Sequence, residues 1–335
     1  MLRRVMKAPL RLALTLLLPA AGAFCAAHAG TPEAASPTTS ESSGGPESST
    51  GQSRPANGRA PTPGTRQYRF GLTLVTPVAG IVEQRTPVSL RDGASGRMRA
   101  WSYGAEIAAH SLSEDLVAYG SFDYRRTDFA FEGTPAPWGD TDQYRLNAHV
   151  ESKIDDAWWW FANGGLRLGA EREAALADSL TGRVSLGGKC RFSRAFSVYA
   201  GLGAATRLDD SAQFMPMLGL EYRSGRWSLR TLNGVVASYD TFGDGSLVLD
   251  ASLLYENSHL RLRDEPATGS SRAVEFQEVP VSLGVTRNFG RFSFVRAYAA
   301  CIVWSDYRFR TEGRTTGDFQ TAPGALFGLS AGARF

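Results

Sequence analysis

Residues 325–335 read ALFGLSAGARF and form the C-terminal stretch of the sequence. Every second residue from Ala325 to Phe335 is apolar, whereas the residues between them are small or polar from Gly328 to Arg334. A period of two with one apolar and one polar face is typical of a β-strand. The sequence therefore predicts a C-terminal strand that has one apolar face and an aromatic last residue.

The composition is that of a folded chain and not that of a helical membrane protein. The 335 residues are 43% hydrophobic and 21% charged, which excludes a disordered protein. A mean hydropathy of -0.21 is too low for a bundle of membrane helices, but it fits a barrel in which only alternate residues face lipid. The formal net charge of +3 is too small to indicate a nucleic-acid partner.

Residues 1–29 have the features of a cleaved secretory signal peptide. A basic head precedes an apolar run over 12–24, and Ala27-His28-Ala29 is a small-x-small cleavage site. The alternative is a lipoprotein anchor at Cys25, which is disfavoured because the preceding Phe24 is too large for the lipidation motif. The chain is therefore expected to be exported.

Residues 30–66 are rich in Ser, Thr, Pro and Gly and contain almost no large apolar side chain. Such a segment cannot bury enough surface to offset the entropy of ordering, so it predicts a disordered periplasmic tail. The tail is either a spacer, which we favour, or a plug that enters a pore. Further along the chain, Cys190 and Cys301 are predicted on separate strands facing lipid, so a disulfide is not indicated.

From residue 67 to residue 335 the sequence alternates in segments of about ten residues that are separated by turn residues. Over 183–192, one row reads Arg, Ser, Gly, Lys, Arg and the other Val, Leu, Gly, Cys, Phe. A soluble sandwich also alternates, but its apolar face carries bulky side chains, whereas many apolar-row residues here are small. This pattern predicts an all-β, antiparallel, up-and-down transmembrane barrel with lipid outside and a polar lumen inside. The predicted strands are 68–80, 99–110, 116–131, 142–153, 158–172, 181–192, 195–207, 214–223, 226–231, 234–241, 246–263, 274–288, 291–311 and 324–335.

The connections alternate between short turns, predicted at the periplasmic rim, and longer loops at the extracellular rim. Because short and long connections alternate, the number of strands must be even. The count is fourteen, and the C-terminal strand closes the barrel. Twelve is the runner-up, because 226–231 and 234–241 are weak and 291–311 does not keep a single alternation. The longer loops are predicted at 83–98, 132–141, 173–180, 208–213, 264–273 and 312–323. Aromatic girdles are expected at both membrane interfaces, with Trp158, Trp160, Trp227 and Phe335 at one and Tyr124, Phe129 and Phe131 at the other.

Several stretches resemble an uncharacterised family of bacterial outer-membrane β-barrel proteins, known only as a domain of unknown function. They are SLSEDLVAYGSFDYRRTDFAFEG at 111–133, RLDDSAQFMPMLGLEYRSGRWSLRT at 207–231, LLYENSHLRLRD at 253–264 and the terminal strand. The resemblance covers residues 68–335. It implies a barrel in the outer membrane of a Gram-negative bacterium, whose C-terminal strand is recognised by the barrel-assembly machinery. It implies no activity and no functional residues.

The sequence offers little for catalysis. A lipid-modifying enzyme of the outer membrane needs a Ser–His pair on the outer face. His149 is predicted on the lumen row and His110 at the short-turn rim, while His259 cannot pair with Ser258 because adjacent strand residues face opposite sides. Zinc, P-loop and EF-hand spacings do not occur in the sequence. We therefore expect no catalytic residues, no metal site and no cofactor.

The polar row predicts the functional surface, because charges inside a barrel are costly unless they are solvated or paired. About eight strands give an interior that side chains just fill, so fourteen leave room for a passage. We expect a pore or transporter for small polar or anionic solutes. The alternatives are a non-conducting barrel that acts through its extracellular loops and, third, a lipid-modifying enzyme. The pore-lining candidates are Arg125, Arg145, His149, Glu151, Arg167, Glu171, Arg183, Lys189, Arg191, Glu221, Arg223 and Arg230.

The expected partners are membrane lipid, lipopolysaccharide and a small polar solute. Loop acids such as Asp128, Glu132 and Asp209-Asp210 are candidates for contacts with lipopolysaccharide or divalent cations. Solvated loop carboxylates are the simpler interpretation of the same residues.

Overall fold

The computed structural model describes residues 69–335 except 88–94, 134–135, 209, 232–233, 265–268 and 313. The predicted signal peptide at 1–29 and tail at 30–66 lie outside the described residues. The described chain is almost entirely β-strand, with one turn of 3₁₀ helix at Leu176–Ser179. The strands are β1 Arg69–Pro87, β2 Ser95–Leu112, β3 Leu116–Glu132, β4 Thr141–Lys153, β5 Trp158–Glu171, β6 Thr181–Arg191, β7 Phe196–Arg207, β8 Asp210–Ser224, β9 Trp227–Arg230, β10 Gly234–Asp240, β11 Leu247–Leu254, β12 Glu256–Leu262, β13 Arg272–Phe289, β14 Ser293–Thr311, β15 Arg314–Gln320 and β16 Gly324–Arg334.

The strands form a closed antiparallel ring. Each strand from β1 to β11 pairs with its neighbour in sequence, β11 pairs with β13, and β16 joins β14 to β1. The backbone N–H of Phe335 donates to the Leu72 carbonyl at 2.8 Å, which completes the closure. Since β11 and β12 are halves of one strand and β15 lies outside the ring, fourteen strands make up the described barrel. The predicted fold, strand count and closure by the C-terminal strand are confirmed.

The outer face of the ring is a belt of apolar side chains. Leu202, Leu283 and Phe327, which come from distant strands, are 70%, 68% and 54% exposed. In water, so large an exposed apolar surface would be unfavourable, but it is the surface that a transmembrane barrel presents to lipid. Among the described residues, the structure has no helix that is both long and apolar enough to cross a membrane.

Several of the predicted loops contain strand, including the one at 208–213, because β8 begins at Asp210. The loop expected at 83–98 is shorter than predicted, because β1 continues to Pro87 and β2 begins at Ser95. Within the loop expected at 312–323, β15 folds back onto the end of β14, with Asp306 opposite Gln320. The reason is that β14 runs beyond the ring and offers an edge with which the loop can pair.

The strand predicted as 246–263 breaks at Tyr255, and its upper half, β12, leaves the barrel wall. β10 pairs with this strand only up to Leu254, whereas β12 continues in register with β13 and also meets β5, with Arg261 beside Ala170. In the ring of fourteen strands, β5 lies six strands away from β11, the wall strand that β12 continues. β12, the first half of β13 and the last part of β14 therefore fold inward across the lumen at the extracellular end. We call these segments the inner sheet.

A bulge marks the place where the inner sheet bends. Val279 pairs with Trp304 and Pro280 with Ile302, so that Val303 is an extra residue in β14. A bulge of this kind bends a strand and shifts its alternation by one residue. The alternation of the segment predicted at 291–311 therefore shifts at Val303, whereas Val295 and Arg296, where the prediction was ambiguous, lie in regular register with β13.

Candidate functional site

Four arginines from neighbouring strands lie on the inner row in the extracellular half of the barrel: Arg125, Arg145, Arg167 and Arg183, which we call the arginine cluster. Arg145 lies directly opposite Arg167 in the pairing of β4 with β5. Like charges in this arrangement repel each other. The Arg145 Nε lies 2.6 Å from the Asp123 carboxylate, which offsets one positive charge.

Neutral oxygens orient two other members of the arginine cluster, Arg167 and Arg183. Arg167 donates to the Gln143 side-chain oxygen at 2.6 Å and lies 3.5 Å from the Asn257 carbonyl oxygen. Arg183 donates to the Asn147 side-chain oxygen at 2.8 Å. Within the described residues, no carboxylate forms an ion pair with Arg125 or Arg167. The cluster therefore keeps a surplus of positive charge in the lumen.

The periplasmic half of the lumen is neutralised instead. Lys189 lies 3.2 Å from Glu151 and 3.3 Å from Glu221, and the Tyr199 hydroxyl donates to Glu221 at 2.7 Å. The Nε2 atom of His149 lies 3.2 Å from Glu151. Because each charge here has a partner, these side chains form a cross-linked network on the wall.

An aromatic cluster closes one side of the extracellular mouth. Its centre is the buried Trp138, in the connection between β3 and β4, whose ring lies 5.1 Å from Phe131 and 5.2 Å from Phe276. The neighbouring buried residues are Met98, Leu260, Leu262, Val274 and Tyr307, with Phe129 and Phe309 packed against them. One face of the inner sheet is thereby sealed against β2 and β3.

The opposite face of the inner sheet is polar and centres on Glu275, whose side chain is fully buried. Its carboxylate lies 3.2 Å from the Arg207 guanidinium of β7 and 3.7 Å from that of Arg310. Asn257 and Gln277 donate to the same carboxylate at 3.2 and 2.8 Å. Glu275 therefore ties the inner sheet to the wall at β7.

Glu171 holds the loops at the mouth together. Its carboxylate accepts hydrogen bonds from the backbone N–H of Gly139 at 2.8 Å and from that of Arg263 at 2.9 Å. The same carboxylate raises the pKa of the Arg263 guanidinium, which lies 3.1 Å away. Glu171, a pore-lining candidate, thus lies among loop atoms at the extracellular end of β5.

The structure places the other predicted side chains as follows. His149, Glu151, Lys189 and Glu221 lie in the periplasmic network, and Arg230 lies on the short strand β9. Arg223 is half exposed beside Glu221, and Arg191 is exposed at the periplasmic rim, 5.5 Å from the Trp159 ring. The predicted girdle residues Trp158, Trp160, Trp227 and Phe335 are all exposed on the outer surface.

Two predicted girdle residues are placed differently, and one important residue was missed. Phe129 and Phe131 face inward onto Trp138, because the inner row of β3 becomes apolar where it meets the inner sheet. Trp138 lies in the Pro- and Gly-rich stretch PAPWGD, where an isolated large aromatic was the available signal. The two cysteines among the described residues, Cys190 and Cys301, are free, and Cys301 is exposed. Asp209 lies outside the described residues, among which no group of three or more potential metal ligands occurs.

No protein-family model matches the sequence, and no curated protein matches it. The resemblance to an uncharacterised family therefore stays a prediction. Solved structures with a similar architecture include an outer membrane channel from Pseudomonas putida F1, with 8% identity, a TM-score of 0.43 and coverage of 79% of this chain and 95% of the channel. A deltaS2 mutant of the monoaromatic hydrocarbon channel TodX has 8% identity and a TM-score of 0.42, with coverage of 81% and 91%.

A third example is the translocator domain of the autotransporter NalP from Neisseria meningitidis, with 12% identity, a TM-score of 0.32 and coverage of 79% of this chain and 89% of that domain. These similarities are too low to assign a function to this chain, so its function is inferred from its own residues.

Proposed function

We propose that this protein is an outer-membrane channel or transporter that carries small anionic solutes past the arginine cluster. The observation that carries the proposal is the excess of guanidinium groups over carboxylates on the inner faces of β3 to β6. A purely structural barrel would gain more from neutral or fully paired side chains, because unpaired charges are costly in a lumen from which water is excluded. Residues 1–29 would direct export to the Gram-negative outer membrane, and the C-terminal strand would guide assembly.

Ion selectivity tests this function directly. A unit charge about 8 Å from the ion, at an effective dielectric constant of about 20, contributes about 2 kcal/mol. We therefore expect Arg125→Gln/Arg167→Gln to reduce the anion-to-cation permeability ratio by about fivefold or more, since two positive charges are lost. The ratio is measured from the reversal potential across planar bilayers in a potassium chloride gradient.

The matched control removes two arginines from the outer row. Arg99 and Arg126 lie on the exterior of β2 and β3, where they pair with Glu132 and Asp128. The variant Arg99→Gln/Arg126→Gln should keep the reversal potential of the unmodified protein. A reversal potential that is equally unaffected by the inner double substitution, or a folded protein without current, would contradict the proposal and favour a non-conducting barrel.

A further inference from the structure

A glycine on the inner row of β5 lets the side chain of Arg183 reach across that strand. Gly165 lies opposite Arg183 in the pairing of β5 with β6. The Arg183 side chain runs over this glycine, since a Cβ atom added there would lie 2.8 Å from the Arg183 Nε. A terminal nitrogen of Arg183 then donates to the Asn147 side-chain oxygen of β4 at 2.8 Å. The missing side chain at Gly165 therefore allows a guanidinium group of β6 to reach β4, two strands away.

Two amide side chains flank Arg145 on the inner row of β4 and orient the other two arginines. Asn147 accepts the hydrogen bond from Arg183, and Gln143 accepts one from Arg167 at 2.6 Å. Arg145 lies directly opposite Arg167, whose positive charge is repelled by those of both Arg145 and Arg183. Amide oxygens are neutral, so they fix the guanidinium groups without offsetting their charge. Three guanidinium groups from three neighbouring strands are thus held close together.

The three guanidinium groups carry more charge than the carboxylate beside them offsets. Asp123 binds the Nε of Arg145 at 2.6 Å. Three guanidinium groups and one carboxylate leave two positive charges, and the next charged groups, Glu106 and Arg125, are opposite in sign. Within the described part of the chain, the Arg167 Nε is buried without an acceptor. Because a buried donor and an unpaired charge are both costly, the arrangement favours an anion that supplies acceptor oxygens.

A phosphoryl group matches these three arginines in charge and in the number of its oxygens. It carries close to two negative charges and three strong acceptor oxygens, which gives one oxygen for each guanidinium group. Guanidinium groups bind such oxygens through paired, charge-assisted hydrogen bonds. A carboxylate offers only two oxygens in one plane and a single charge, so it would leave one guanidinium group and one positive charge without a partner.

We propose that Arg145, Arg167 and Arg183 form a binding site for a phosphoryl group, that of inorganic phosphate or of a small phosphomonoester. Gly165 is a positioning residue of this site, because it gives Arg183 the space to join the other two. The three arginines lie on the inner row and are partly exposed, so a solute in the lumen can reach them. The site deepens the proposed function, on which it rests for the passage of the solute through the lumen.

Calorimetric titration of the refolded protein in detergent micelles tests the site without requiring a current. Inorganic phosphate and glycerol 3-phosphate are titrated at about pH 8, where both are mainly dianions, and malonate serves as a dianion without a phosphoryl group. We expect phosphate to bind at least about tenfold more tightly than malonate, because only the phosphoryl group meets all three guanidinium groups. Binding of phosphate alone would identify the free ion as the solute, and binding of both phosphates a phosphomonoester. Malonate that binds as tightly as phosphate would overturn the site.

Gly165→Ala tests the placement of Arg183 while every charge stays in the lumen. The added methyl group takes the space of the Arg183 side chain, which is flexible enough to swing away, so the barrel should still fold. We expect the affinity for phosphate to fall about tenfold, because one charge-assisted contact is lost. The matched control is Gly164→Ala, where an added Cβ atom would meet no atom of the described chain within 4 Å, and its affinity for phosphate should be unchanged.

An affinity for phosphate that is the same in Gly165→Ala and Gly164→Ala would overturn the role of Gly165. Arg183→Gln is a second variant in case Gly165→Ala does not fold, and it should weaken phosphate binding at least as much; folding is checked by heat-modifiable migration in gels. Calorimetry and conductance separate the two proposals. An anion-selective channel that does not bind phosphate would overturn the site alone, whereas a barrel that binds phosphate without conducting would overturn the channel alone.

Discussion

At Glu275, a carboxylate with a fully buried side chain lies 3.2 Å from the Arg207 guanidinium and accepts hydrogen bonds from Asn257 and Gln277. The polar face of the inner sheet would be unfavourable inside the barrel without this carboxylate, because two guanidinium groups approach it from different strands. Charge pairing at single residues thus decides whether a strand that has left the wall can remain in the lumen.

We expect Glu275→Ala to lower the free energy of unfolding by about 3 kcal/mol, because the substitution removes a fully buried carboxylate that pairs with Arg207 and Arg310. Urea titration of the protein in lipid vesicles measures this change. The control is Glu132→Ala, which breaks the exposed pair with Arg99 and should cost less than about 1 kcal/mol. Equal effects of the two substitutions would mean that Glu275 does not hold the inner sheet.

Among the elements, the spanning strands could be predicted from sequence, whereas the inner sheet could not. Alternation locates the strand ends to within a few residues at β4, β6 and β7, because each row meets one uniform environment, lipid or lumen. Above Tyr255 the row that is apolar in β11 becomes polar, with Asn257 and His259. The alternation shows that this row changes from apolar to polar. The reason is that β12 and β13 contact β5 and β7, which are distant in sequence.

The arginine cluster could likewise be predicted only in part from the sequence. The inner row was predicted as a row of charges, since polar side chains alternate with lipid-facing ones. The division into a basic extracellular half and a neutralised periplasmic half depends on which strands are neighbours and on the stagger between them. Asp123 pairs with Arg145 and Lys189 with Glu151 because the register of β3 to β6 brings them together.

Trp138, in the connection between β3 and β4, closes one side of the extracellular mouth. We expect Trp138→Ala to open an additional aqueous route and to increase the single-channel conductance about twofold or more, since removing a buried Trp takes away contacts worth about 3–5 kcal/mol. Single-channel recording measures the conductance. Trp160→Ala, on the outer row of β5, should leave it unchanged, and an unchanged conductance in both variants would mean that the aromatic cluster does not limit the current.

At the scale of the whole molecule, the question is whether the inner sheet is a gate or a fixed partition. A gate has to move away from β5 when solute passes, whereas a fixed partition stays in place. The site for a test is the contact of β12 with β5, where a Cβ atom added at Gly169 would lie 2.8 Å from Leu260 Cδ2.

We expect a disulfide in Gly169→Cys/Leu260→Cys, in the Cys190→Ser/Cys301→Ser background, to leave the single-channel current nearly unchanged, because Glu275 already ties the inner sheet to Arg207 of β7. The current is recorded after oxidation and again after reduction with dithiothreitol. Ser121→Cys/Asn147→Cys links two neighbouring strands of the wall and controls for the effect of a cross-link alone. A current that disappears on oxidation and returns on reduction only in the first pair would show that the inner sheet moves and acts as a gate.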